Sequence, residues 1–245
     1  PYKDRSAAET IEKIKNILDT LHLKPFVMFN ANPYPEVYSV RLELDEEEGG
    51  FGTNGKGRSE EYAFASCYAE FLERIQNGFY AHFSRTMQQE ILNSCGFNYY
   101  PDEKIMTKEE ISSLPENILE DIIIQRGEDR IRYIDEYFAR LYENGRAGVV
   151  GVPFYDTMNE TTIHLPLNML VLALGSNGMA AGNTLSEAIF QGICEIMERW
   201  SGAEIFYGML TPPKISDAIL KEYQKEFEII QEIEKSGIYS VKVMD

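Results

Sequence analysis

The chain has few of the residues on which soft-metal and nucleophilic chemistry usually rests. Its three cysteines, Cys67, Cys95 and Cys194, show neither metal-ligand spacing nor an even disulfide framework. Cys67 and Cys194 fall on or beside the apolar sides of two helical patterns, where a thiol packs as a small hydrophobe. The three histidines, His22, His82 and His164, are scattered, with no His-x-x-x-His pair and no obvious acidic partner. Soft-metal sites and His-based acid–base catalysis are therefore poorly supported. Basic residues are also outnumbered, with 23 Lys and Arg against 40 Asp and Glu and a formal charge of −17. That balance argues against a nucleic-acid or anionic-membrane partner, although a local basic pocket or a metal ion would still let ATP bind. No apolar run approaches the length of a membrane span, and no basic-then-apolar leader pattern opens these residues. Cytoplasm is the expected compartment.

What is present is organised around residues 183–199. Asn183, Glu187, Gln191 and Glu195 fall four apart and Glu198 follows three later, so all five share one side of a helix. Leu185, Ile189, Phe190, Ile193, Ile196, Met197 and Trp200 take the opposite side, which predicts a core-facing helix. The plain alternative for the polar side is a solvated face. Such a face usually interleaves Lys with Glu, because like charges at these spacings repel, yet no Lys occurs between Asn183 and Arg199. Carboxylates, carboxamides and one Arg suit a hard cation and a polar ligand, since Mg²⁺ takes carboxylate oxygens and leaves positions for phosphate.

A second stretch repeats the pattern. Shifting the chain by 125 residues lays Glu70, Glu73 and Arg74 on Glu195, Glu198 and Arg199, with Gly57 on Gly182, Ser59 on Thr184 and Ala63 on Ala188. On this earlier helix Phe64, Cys67, Tyr68, Phe71, Leu72 and Ile75 cluster on one side, and Ser59, Ser66, Glu70 and Glu73 on the other. Two helices thus carry Glu-x-x-Glu away from their apolar stripes. If those faces meet, four carboxylates converge, and their mutual repulsion calls for cations among them.

ThrAsnGlyLysGly at 53–57 leading into SerCysTyrAlaGluPheLeuGluArg at 66–74, and SerAsnGlyMetAlaAlaGlyAsnThr at 176–184 leading into GluAlaIlePheGlnGlyIleCysGluIleMetGluArg, resemble the two signature segments of the YcaO family. The likeness runs from Lys3 to the end, with a poorly matched middle. It implies an α/β (α+β) YcaO-like fold of pseudo-duplicated strand–helix units, with mixed sheets flanked by helices. It also implies that residues 1–245 form one ATP-binding domain, truncated at its C-terminal end, because YcaO domains continue past Asp245 to a late Arg and Glu of the nucleotide pocket.

The resemblance further implies ATP and Mg²⁺ as cofactors and a peptide or protein substrate whose backbone amide is activated. The amide oxygen takes the γ-phosphoryl group after a nucleophile adds to the carbon; a Cys, Ser or Thr side chain gives an azoline and an external sulfide a thioamide. Such phosphoryl transfer depends on positioning and charge neutralisation more than on a protein nucleophile, so no residue is singled out as catalytic. Enzyme activity is expected of the full-length protein, and whether the fragment retains it is left open. By the same resemblance Glu70, Glu73, Glu195 and Glu198 match the Mg²⁺-binding acids, and Asn183, Glu187, Gln191 and Arg199 the nucleotide-contacting set. Lys3 falls where the family places a phosphate-contacting Lys, and Thr10 where it places a hydroxyl ligand; taken alone both read as surface residues. Arg74 serves phosphate or orients Glu70 or Glu73. Partners implied are a separate leader-binding or sulfur-donating protein, with a homodimer allowed and neither nucleic acid nor membrane.

Two other readings stay open. One member of the family is tied to ribosomal-protein methylthiolation, which implies an ATP-gated accessory factor without chemistry of its own. The other is a metal-free structural domain with acidic helix faces.

The rest of the chain frames these segments. Ser6 with Glu9 predicts a capping box opening a helix whose buried stripe is Ile11, Ile14, Ile17, Leu18 and Leu21. Residues 33–44 turn and then alternate as a strand, and the acidic run 45–50 reads as a hairpin turn. Lys56, just ahead of a helix N-terminus, is a secondary phosphate candidate, although Gly-Lys-Gly lacks the spacing of a P-loop. Helices and loops are expected from about 79 to 148, including 131–142, then strands at 149–154 and 162–166. After Trp200 two helical patterns run through about 236, and a strand closes the chain at 238–244.

Overall fold

The computed structural model describes residues 3–44, 52–78, 101–124 and 127–245. The acidic run at 45–50, the stretch 79–84 with His82, and Cys95 lie outside the described residues. Contacts gather into two compact units, Pro1–Glu73 with Gly178–Asp245, and Arg74–Asn177.

The first unit opens with helix α1, Ala7–Thr20. Ser6 Oγ accepts from the Glu9 amide while the Ser6 amide donates to Glu9 Oε2 at 2.9 Å, so both arms of the expected capping box are present. Ile14 and Leu18 are buried, but Leu21 at the end of the expected stripe is exposed.

Strands β1 (Phe26–Tyr34), β2 (Val37–Glu43) and β3 (Gly52–Gly57) follow. They pair antiparallel in the order β1-β2-β3. Sequence reading finds β2 but not β1, because the apolar residues of β1 are contiguous at 26–29 rather than alternating, and Asn30, Asn32 and Pro33 disfavour a strand. Along β2 the alternation is clear, with Val40 and Leu42 fully buried. Helix α2, Glu60–Gln76, lies directly on β3. A Cβ on Gly55 would stand 2.1 Å from the Ala63 carbonyl oxygen and 2.5 Å from the Cys67 amide nitrogen. Ala63, Cys67 and Phe71 seal that contact at zero exposure.

The second unit holds β4 (Lys104–Met106), α3 (Lys108–Ser112), α4 (Glu116–Ile122), α5 (Glu128–Glu143), β5 (Val149–Asp156), β6 (Thr161–Pro166) and α6 (Leu167–Leu174). Its sheet is antiparallel in the order β4-β5-β6, and the two strands expected at 149–154 and 162–166 form the β5–β6 pair. Met106, Ile111, Leu119, Ile122, Ile134, Phe138, Val149 and Leu170 share one buried cluster. Arg130 is buried beside it, pairing with Glu116 at 2.8 Å.

The chain then returns to the first unit with α7 (Leu185–Tyr207), α8 (Asp217–Leu220) and α9 (Gln224–Lys235). The strand expected at 238–244 is reduced to a bridge between Lys214 and Met244. The α/β class is as expected, but both described sheets are antiparallel throughout rather than mixed. Among the described residues no helix is long and apolar enough to cross a membrane.

Candidate functional site

The two signature segments deliver their helices by the same local device. Gly57 and Gly182 each stand six residues before an alanine, and each backbone presses on the first turn of its helix. A Cβ on Gly57 would meet the Ala63 nitrogen at 2.5 Å, and one on Gly182 the Ala188 nitrogen at 2.4 Å. Ser59 Oγ then accepts from the Tyr62 amide at 3.2 Å, and Thr184 Oγ1 from the Glu187 amide at 3.3 Å. Each hydroxyl takes up a helix N–H that has no partner within the helix. The 125-residue repeat is thus a repeat of backbone geometry at two helix N-termini.

At the second of these, residues far apart in sequence meet. Lys3 Nζ lies 3.1 Å from Glu187 Oε1, and the Asp4 amide donates to Glu187 Oε2 at 3.4 Å. Asn183 Nδ2 donates to Thr10 Oγ1 at 3.1 Å and toward Glu187 Oε2 at 3.4 Å, while the Thr10 hydroxyl donates to the Ser6 carbonyl at 2.9 Å. Thr184 Oγ1 donates to Asp4 Oδ2 at 2.5 Å. Glu187 is buried at the third position of α7, where the Glu of a capping box would sit, but its carboxylate serves Lys3, Asp4 and Asn183 instead. Burial pushes the Glu187 carboxyl up. The Lys3 hydrogen bond and charge, the Asp4 amide and the Asn183 amide outweigh that, holding it below its ordinary value.

The structure therefore brings together Lys3, Thr10, Asn183 and Glu187. Gln191 is exposed on α7. Glu195 is half-buried and pairs along the helix with Arg199 at 3.5 Å, and Glu198 is exposed. On α2, Glu73 is buried, and Glu70 and Arg74 are half-buried. Lys56 is exposed on β3, opposite Ser39 of β2. Among the described residues no group of three or more His, Cys, Asp or Glu that could hold a metal ion is present, so the four glutamates do not form a ready-made cage.

One expectation is reversed. The side of α7 read as core-facing, Leu185, Ile189, Phe190, Ile193, Ile196, Met197 and Trp200, is 48–77% exposed. The buried positions are Glu187 and Gly192. A period of 3.6 identifies residues that share a face but not which face meets the rest of the chain. Here the neighbours are the segment around Lys3 and Asp4 and the backbone of Gly178, whose oxygen would stand 2.7 Å from a Cβ on Gly192.

A family model for YcaO cyclodehydratases, described as ATP- and Mg²⁺-binding, matches residues 54–245. The chain belongs to the YcaO family. An uncharacterized protein of Haemophilus influenzae is 32% identical over 237 residues, 96% of this chain and 40% of its own length. The ribosomal protein S12 methylthiotransferase accessory factor YcaO of Escherichia coli is 29% identical over 238 residues, 97% of this chain and 40% of that protein. The chain thus spans about 40% of the length of the curated relatives it matches. Among solved structures, YcaO from Methanopyrus kandleri bound with AMPPCP and Mg²⁺ aligns at a TM-score of 0.52 and 18% identity, over 92% of this chain and 52% of that one. A heterocyclase in complex with substrate and cofactor aligns at 0.61 and 20%, over 99% and 34%. At these identities the two likenesses establish the YcaO fold.

In this YcaO chain two participants in the network, Asp4 and the Thr184 hydroxyl, escape sequence reading as site residues. Thr184 carries a weak signal, since it heads a Thr-x-x-Glu pattern. Asp4 carries none, because its partners lie about 180 residues away. Cys67 is buried, donating to the Thr53 carbonyl at 3.2 Å. Burial pushes its thiol up despite hydrogen bonds with Thr53 and the Leu42 backbone, which leaves it as core.

Proposed function

We propose that residues 1–245 form a YcaO-like ATP-binding domain that, in the whole protein, uses Mg-ATP to activate a backbone amide of a peptide or protein. The observation that carries this reading is the meeting of Lys3, Thr10, Asn183 and Glu187 at the N-terminus of α7. An ammonium, a hydroxyl, a carboxamide and a carboxylate there offer the mix of donors and acceptors that a polyphosphate and a sugar or base require. The cluster sits where helix N–H groups and the dipole favour anions.

In this reading Lys3 contacts phosphate, Thr10, Asn183, Glu187, Gln191 and Arg199 contact the nucleotide, and Lys56 and Arg74 add charge toward phosphate. Glu70, Glu73, Glu195 and Glu198 would hold Mg²⁺. Their oxygens suit this hard cation, which binds through one or two carboxylates plus phosphate and water rather than in an all-protein cage. The missing cage among the described residues is compatible with that mode. When bound, Mg-ATP supplies the phosphoryl group that turns an amide oxygen into a leaving group, and the chain's own residues position it and balance its charge.

The name of the Escherichia coli relative favours a second reading, an accessory factor for ribosomal-protein methylthiolation gated by ATP. Phosphate release by the full-length protein, measured with and without candidate peptides, separates the two. Turnover coupled to a mass change in the peptide supports amide activation, whereas hydrolysis or binding without any substrate change supports the accessory role. Absence of calorimetric heat with Mg-ATP would overturn both.

A further inference from the structure

We propose that Asp4 is a positioning residue, clasping the N-terminal segment to the first turn of α7 through two opposed hydrogen bonds. Its carboxylate accepts from the Thr184 hydroxyl at 2.5 Å and its amide donates to Glu187 Oε2 at 3.4 Å. The inference rests on the nucleotide reading above and extends it to a residue that has no role in that set.

The geometry supports the clasp in three ways. Thr184 is already the N-cap of α7, with its oxygen engaged by the Glu187 amide, so the remaining hydroxyl proton is directed outward and Asp4 receives it. The bond is exposed, and as a charge-assisted O–H···O⁻ pair it holds better than a neutral one would at the same place. The amide bond to Glu187 falls on the carboxylate that also holds Lys3 and Asn183. Asp4 thereby joins the cap of one helix to the segment that opens the other, with Ser6 heading α1 only two residues on. Lys3 and Thr10 reach Glu187 and Asn183 only while that segment stays docked. A site that is assembled part of the time loses affinity in proportion to the assembled fraction.

The test uses the full-length protein. Asp4→Ala removes the acceptor and is expected to raise the KM for Mg-ATP about tenfold, as the docked fraction falls to about a tenth, with kcat within about twofold of wild type. Asp4→Asn keeps an acceptor and the amide, and should recover most of the affinity. Thr184→Ala breaks the same bond from the other side, together with the cap bond from the Glu187 amide, and should raise KM at least as much, which covers the case of an Asp4→Ala protein that does not fold. Hydrogen exchange without nucleotide should speed up across residues 3–10 in Asp4→Ala and stay unchanged on α5. Unchanged KM in both alanine variants, or kcat falling with KM fixed, overturns the positioning role while leaving the nucleotide reading intact. A wild-type protein with no affinity for Mg-ATP overturns that reading, and Asp4's part falls with it.

Discussion

Lys3 Nζ stands 3.1 Å from a carboxylate oxygen of Glu187 whose side chain is only 7% exposed. The segment around Lys3 and the first turn of a helix far along the chain are thereby joined by a charge pair whose carboxylate is buried and whose ammonium is partly exposed. The pair has a consequence for acid stability. Glu187 is held below its ordinary value in the folded protein, so it binds a proton less readily there than in the unfolded chain. Its contribution is complete above the unfolded value of about 4.3 and is lost as pH falls through the folded value. Urea midpoints measured from neutral pH into the acid range should decline less steeply for Glu187→Gln than for wild type. Parallel acid limbs would show that the pair adds nothing to stability.

The matched glycines make a steric prediction. Gly57→Ala and Gly182→Ala each place a methyl about 2.5 Å from helix backbone, and each should destabilise by about 1–3 kcal/mol. Gly202, inside α7 with open space where its Cβ would be, should respond oppositely. Gly202→Ala should stabilise by about 0.5–1 kcal/mol through helix propensity. Denaturant titration of the three variants reads both signs at once.

The acids of the two helices should differ from their neighbours in metal dependence. Changing Glu70, Glu73, Glu195 or Glu198 to Gln is expected to move the Mg²⁺ requirement for ATP binding upward by tenfold or more, about 1.4 kcal/mol. Calorimetric titration of ATP at a series of Mg²⁺ concentrations measures the shift. Variants that bind ATP with unaltered Mg²⁺ dependence would remove those residues from the proposed metal site.

Thiol reactivity should divide by burial. Cys194 is exposed and Cys67 is buried, and burial drives Cys67 away from the reactive thiolate. Alkylation under native conditions, mapped by peptide mass spectrometry, should label Cys194 promptly and Cys67 only on unfolding. Early labelling of Cys67 would contradict the packing of α2 on β3.

In the second unit, Phe138→Ala removes a ring that is 1% exposed at the centre of the cluster around Ile111, Leu119 and Ile134. A loss of about 3–5 kcal/mol is expected, measured by thermal or denaturant unfolding. A loss below about 1 kcal/mol would mean that the site refills by collapse.

The sequence by itself determined several features that depend on local geometry. Ser6 with Glu9 fixed the start of α1, the alternation at Val40 and Leu42 marked β2, and the 125-residue repeat located two helices with the same glycine, hydroxyl cap and alanine. Each of these rests on hydrogen bonds or contacts within a few residues, so the pattern is complete in the string. The signature segments also carried the family. Tertiary structure alone decided which side of α7 is covered, because periodicity groups residues without naming their neighbours, and the apolar side with Leu185, Ile189, Ile193 and Trp200 proved to be exposed. It alone decided that Glu187 serves Lys3 and Asp4 instead of its own cap, since a carboxylate goes to whichever donors folding brings within reach, and those donors lie far from it in the sequence.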